Sequence, residues 1–203
     1  GAVNNDKKKN NTLATTGSAQ KYTENRLTNH SFENYLTSWD YSSGKVSTDT
    51  SQHYLGAKSE KLNPEGYVSQ QVSKNASYTY YTSSVYAMGS SDSSRIRLSI
   101  YFYDANGNYI ENSSKYTEQD LVGGKWERKQ FTFTLVEGAS SFRVRYVNCG
   151  TDNIWIDCAQ LENGAAMSAY NLVQNGGFED TSSTVWEAVN CTTGDKYYTG
   201  GTY

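Results

Sequence analysis

Apolar and polar residues alternate along the chain with a period of two, in short runs separated by clusters of Gly, Asn, Asp and Ser. No stretch carries the apolar spacing of an amphipathic helix. The clearest run is RIRLSIYFY at 95–103, in which Ile96, Leu98, Ile100 and Phe102 point to one side and Arg97, Ser99, Tyr101 and Tyr103 to the other. The first set predicts core and the second an outward face. Phe131, Phe133 and Leu135 repeat the pattern, as do Phe142, Val144 and Tyr146. The Asn106-Gly107 pair just beyond the first run predicts a tight hairpin, because both residues tolerate positive φ. Strands are expected over 26–33, 45–49, 57–62, 66–72, 78–88, 95–103, 126–135, 140–148 and 153–161. Nine short strands in about 140 residues predict an all-β fold, a two-sheet β-sandwich.

The ends of the chain read differently. Residues 1–24 have no apolar periodicity and are rich in Asn, Thr and Lys, which predicts a linker followed by a folded module over 25–166. The segment NRLTNHSFE at 25–33 recurs as NLVQNGGFE at 171–179, an offset of 146 residues, and each copy is followed shortly by a tryptophan, Trp39 or Trp186. Residues 167–203 therefore read as a linker and the truncated start of a second copy. A parent carrying tandem modules follows. The first copy has His30 where the second has Gly176.

Composition narrows the function. The 203 residues include 25 Ser, 20 Thr and 18 Asn, and no apolar run is long enough to span a membrane. A formal charge of −3 without a dense basic face excludes an electrostatic footprint for nucleic acid or anionic lipid. The 18 Tyr, 6 Phe and 4 Trp supply the aromatic surface that disordered chains lack. Three cysteines cannot all pair within one chain; Cys149 and Cys158 flank an expected hairpin several rungs apart, so they read as free thiols, as does Cys191. With two histidines (His30 and His53) and no GxSxG, HExxH or phosphate-cradling glycine loop, nucleophilic and zinc catalysis are not expected. A glycosidase needs two carboxylates about 5–9.5 Å apart. Asp104, Glu111, Glu118, Asp120 and Glu127 read only as loop charges, so no enzyme activity is expected.

A sugar site needs a flat aromatic face for the C–H patch of a pyranose and polar side chains for its hydroxyls, set in an open groove. Alternation over 81–88 turns Tyr81, Ser83, Val85 and Ala87 inward and Thr82, Ser84, Tyr86 and Met88 outward. If that strand shares a sheet with 95–103, then Tyr86, Arg97, Tyr101 and Tyr103 form one aromatic and hydrogen-bonding patch, which Tyr67 and Gln71 can join. The plainer account is that tyrosine simply suits half-buried strand surfaces.

The ordered series NHSFE at 29–33, Trp39, AKSEKL at 57–62, VSQQV at 68–72, YTSSVYAM at 81–88, RIRLSIYFYDANGN, Trp126 and IWIDCAQLE at 154–162 resembles the carbohydrate-binding module superfamily, the galactose-binding-like jelly rolls. The resemblance spans 25 to about 162. Its junction with the second copy resembles those of tandem modules in large secreted bacterial YD-repeat, Rhs-type or wall-associated proteins, which implies a secreted or cell-surface, Gram-positive parent. The resemblance implies a structural calcium held by Glu33 and Asp157, completed by backbone carbonyls. It also implies structural tryptophans at Trp39 and Trp126. The expected function is a non-catalytic module binding polysaccharide or glycoconjugate on an exposed sheet face, with other modules of its parent as further partners and no nucleic acid or membrane insertion. The alternative is a structural spacer or adhesion module without a ligand of its own.

Overall fold

The structure, a computed structural model, describes residues 24–168 and 170. All but residue 24 of the expected linker over 1–24, the second copy of the repeat and Cys191 lie outside the described residues. Ten strands follow one another: β1 (Asp40–Tyr41), β2 (Val46–Asp49), β3 (Ser59–Leu62), β4 (Tyr67–Ser73), β5 (Tyr80–Gly89), β6 (Arg95–Tyr103), β7 (Lys115–Asp120), β8 (Glu127–Thr134), β9 (Ser141–Asn148) and β10 (Ile154–Asn163). They form two five-stranded antiparallel sheets, β1-β4-β9-β6-β7 and β2-β3-β10-β5-β8. The protein is an all-β, two-sheet jelly-roll sandwich.

Alternation builds the core. Ile96, Leu98, Ile100 and Phe102 of β6 and Phe142, Val144 and Tyr146 of β9 face Tyr81, Val85, Phe133, Ile154, Ile156 and Leu161 of the other sheet, all of them buried. Tyr146 ties the layers together, because its hydroxyl meets Ser83 Oγ at 2.9 Å and donates to the Ser84 carbonyl at 3.1 Å. Burial pushes the Tyr146 pKa well above the usual tyrosine range, so the hydroxyl stays protonated.

Three expectations need correction. Residues 26–33 are not a strand: Asn29 and Phe32 have φ of 46° and 57°, and a turn closes from Phe32 N to Asn29 O at 3.2 Å. The segment meets β10 through isolated backbone bonds, Arg26 N to Leu161 O and Ala159 N to His30 O, and through Arg26 Nη1 to Asn163 Oδ1, without a ladder. Glu118 and Asp120 lie on β7, an edge strand missed in the sequence, and Glu127 begins β8, so these are strand residues rather than loop charges. The turn after β6 uses only Gly107 (φ 80°) in the left-handed region; Asp104 Oδ1 caps it by accepting from Asn106 N at 2.8 Å and Asn108 N at 2.9 Å. Cys149 and Cys158 are free, as expected.

Candidate functional site

The outward residues of the first sheet fall into rows fixed by register. Tyr67, Val147 and Arg97 lie side by side across β4, β9 and β6; the next row is Ser69, Arg145 and Ser99, and the next Gln71, Arg143 and Tyr101. Asp40 extends the middle row on one side and Tyr116 on the other, and Glu118 stands beside Arg97. Because alternate residues share a face, a strand that buries Ile96 to Phe102 must present Arg97, Ser99, Tyr101 and Tyr103 together. The resulting cleft of about 270 Å³ is lined by Tyr67, Ser69, Tyr101, Tyr103, Arg143 and Arg145. Tyr109 closes one end, its ring centroid 6.2 Å from that of Tyr101 and 6.0 Å from that of Tyr103.

Hydrogen bonds hold most of the polar groups in place. Arg143 Nη1 donates to Asp40 Oδ2 at 2.5 Å and to Ser69 Oγ at 3.2 Å, and Nη2 donates to Gln71 Oε1 at 3.2 Å. Arg97 donates from Nε to Glu118 Oε1 at 2.8 Å and pairs with the same oxygen through Nη2. That carboxylate raises the Arg97 pKa further. Arg145 stacks on Tyr67, its guanidinium carbon 3.6 Å from the ring centroid, and lies 5.8 Å from that of Tyr101. A second groove, about 450 Å³, opens between the edge strands β7 and β8 and is lined by Tyr80, Lys115, Tyr116 and Phe131. Lys115 Nζ spends itself there on Thr134 O and Oγ1, so few polar groups are left for a ligand.

Tyr101 and Tyr103 line the cleft together with Tyr67, while Arg97 and Gln71 stand on the same face of the sheet without lining it. The structure does not bring Tyr86 there. The premise of a shared sheet fails: β5 belongs to the second sheet, so Tyr86 faces away from the cleft. Its ring face is also covered, because Tyr54 stacks on it with centroids 3.7 Å apart and planes 13° from parallel. The sequence reading missed Arg143 and Arg145, which sit at outward positions of a strand whose inward set, Phe142, Val144 and Tyr146, was plain from alternation.

Glu33 and Asp157 both grip the loop over 54–58. Glu33 Oε1 accepts from Ala57 N at 2.9 Å and Lys58 N at 3.1 Å, and Gly56 is required between them, since a Cβ there would lie 2.1 Å from that oxygen. Asp157 Oδ2 accepts from Tyr54 N at 2.9 Å and Leu55 N at 3.1 Å, and Oδ1 from Cys158 N at 2.6 Å. A shift of register between Asp157 and Gln160, with Cys158 at φ 51°, aims this side chain at the loop. Burial pushes the Asp157 pKa up to about 6 despite its amide donors. Lys58 Nζ donates to the Glu33 carbonyl at 2.8 Å, so an ammonium already takes a main-chain oxygen that a cation would need. Calcium takes six to eight oxygens. As arranged, Glu33 Oε1 and both Asp157 oxygens accept loop and strand amides, so an ion held by Glu33 and Asp157 would share these oxygens with them.

Trp39 is buried, donates from Nε1 to the Asn29 carbonyl at 3.0 Å and packs on Phe32. Trp126 is half-buried, 6.1 Å from Tyr54.

Fold and cleft together define a β-sandwich module with an open, aromatic and polar groove across one sheet. The chain belongs to the carbohydrate-binding domain family CBM_4_9, whose model matches residues 24–151. No curated protein matches the sequence. Among solved structures, the CBM22-1 xylan-binding domain of Paenibacillus barcinonensis Xyn10C is similar with a TM-score of 0.54 at 20% identity, over 73% of this chain and 100% of that one. TmCBM61, solved with β-1,4-galactotriose, gives 0.51 at 18% identity over 70% of this chain and 99% of that one. The enzymatically active domain of bacteriophage CBA120 tailspike protein 4 gives 0.53 at 17% identity over 69% of this chain, which spans 21% of the tailspike chain.

Proposed function

We propose that this chain is a non-catalytic module that binds a glycan in the cleft of the first sheet, within a secreted or cell-surface parent. The observation that carries the reading is the grouping of half-buried Tyr101 and Tyr103 with Arg143, Arg145 and Ser69 in one open groove. A pyranose ring lies against the tyrosine faces while its hydroxyls meet the arginine and serine side chains. Family membership supports the same reading, as do the xylan-binding and galactotriose-bound relatives of the fold. The carboxylates at the groove argue against hydrolysis. Glu118 is tied to Arg97 and Asp40 to Arg143, whereas a glycosidase needs one carboxyl group kept protonated as an acid.

The test is a titration of the full chain against a panel of soluble polysaccharides, beside Tyr101→Ala. Loss of one stacking face should weaken binding roughly tenfold, with the thermal melt unchanged because Tyr101 points out of the core. A panel without any binder would leave the spacer as the function.

A further inference from the structure

Three arginines stand on the outer face of the first sheet in and beside the cleft, and two of them are already neutralised. Arg97 is paired with Glu118, and Arg143 with Asp40. Arg145 stands between them in register, lines the groove, and has neither an ion pair nor a hydrogen bond among the described residues. Its Nε is buried without an acceptor. Ser99, its neighbour across β6, has a buried Oγ that also lacks a partner. On the other flank, Ser69 Oγ is engaged by Arg143.

The cleft thus holds a guanidinium without a counter-charge among the described residues. Counting Arg97, Arg143 and Arg145 against Asp40 and Glu118 leaves one positive charge in excess, in a chain whose formal charge is −3. That positive spot is local and does not reflect a generally basic surface. Arg145 is half-buried at the groove with no counter-charge, and an anion that accepts from its guanidinium supplies one. A guanidinium fork suits a carboxylate, which offers two coplanar acceptors, better than it suits a single sugar hydroxyl. Arg145 covers the face of Tyr67 at 3.6 Å and lies farther, at 5.8 Å, from the ring centroid of Tyr101, so Tyr101 is the less covered of the two rings.

We propose that the cleft selects an acidic glycan, taking the carboxylate of a uronic acid residue on Arg145 with the sugar ring against Tyr101. The proposal rests on the reading of the cleft as a glycan site and adds the class of sugar. Its test titrates the full chain with polygalacturonate and with glucuronoxylan, each in native form and after chemical reduction of its carboxyl groups to alcohols. Dextran sulfate serves as a bare polyanion. Arg145→Gln and Tyr101→Ala are run in parallel, each with a thermal melt.

The expected result is that at least one native uronan binds about tenfold or more tightly than its reduced form, and more tightly than dextran sulfate. Arg145→Gln should bring the ratio of native to reduced affinity close to one. If Arg145→Gln melts well below the wild type, Arg145→Lys takes its place, keeping the charge without the fork, and should also lower the ratio. Equal affinity for native and reduced polymers, a preference that survives these changes, or equally tight dextran sulfate binding would overturn the proposal. In those cases weaker binding by Tyr101→Ala would leave the cleft reading standing. Failure to bind any polymer, native or reduced, would remove the cleft reading itself.

Discussion

Glu60 on β3 is closed off from solvent, with Oε1 accepting from Thr48 Oγ1 at 2.8 Å and Oε2 facing no donor. Burial pushes its pKa up to about 7 from an ordinary 4.5, against the opposing effect of the Thr48 hydrogen bond. Since the folded value is the higher one, the contribution to stability is complete below pH 4.5 and is lost as pH rises through 7. Glu60→Gln removes that titration. The two melting temperatures should nearly coincide at pH 4, and the variant should exceed the wild type at pH 8 by several degrees, roughly 1–3 kcal/mol. Melting curves that stay parallel across this range would show that Glu60 does not carry the pH dependence. The identical residues of the repeat are likewise structural: Asn25 bonds to Ala159 O and Leu161 N of β10, and Asn29 donates from Nδ2 to Tyr35 O and Thr37 O. Phe32 packs on Trp39, and Glu33 holds the amides of Ala57 and Lys58. The motif is readable in sequence as a unit, but its turns are not, because Asn29 and Phe32 take positive φ, which apolar alternation does not announce.

At the scale of elements, the loop over 54–58 is the place where a cation and a set of amide bonds compete for the same oxygens. Glu33 and Asp157 spend their carboxylates on four of its amides, and Lys58 crosses back to Glu33. The melting temperature is therefore expected to be unchanged on moving from excess calcium to a chelator, while Glu33→Gln, which weakens two charge-assisted bonds, should lower stability by about 1–2 kcal/mol. A calcium-dependent rise of several degrees would mean that the loop turns its carbonyls inward around an ion. Long strands with clean alternation, β6 and β9 above all, were legible, since their apolar period survives without any tertiary knowledge. β7, KYTEQD, was not: it is an edge strand whose outward Tyr116, Glu118 and Asp120 and whose polar inward residues give no apolar period. Its pairing with β6 is visible only once Arg97 and Glu118, or Arg95 and Asp120, are seen opposite one another.

Across the whole molecule, the division of strands between two sheets decides what each tyrosine can do, and alternation within one strand cannot reveal it. Tyr86 and Tyr101 both point outward, yet from opposite faces of the sandwich. Tyr101 stands at the open cleft, whereas Tyr86 is the platform on which Tyr54 and the loop over 54–58 lie, with the Arg128 guanidinium 5.7 Å from its ring centroid. The two substitutions should therefore separate. Tyr86→Ala removes a stacked partner and loosens the loop, so it should cost about 1–3 kcal/mol of stability while the affinity for glycan stays within about twofold. Tyr101→Ala should do the reverse, losing affinity with little change in melting temperature. Measuring both quantities on both variants tests the sheet assignment and the site together. If Tyr86→Ala abolished binding in a protein that still melted cooperatively, the ligand would have to lie on the second sheet, and the grouping of Tyr101 with the arginines of β9 would not be the glycan site.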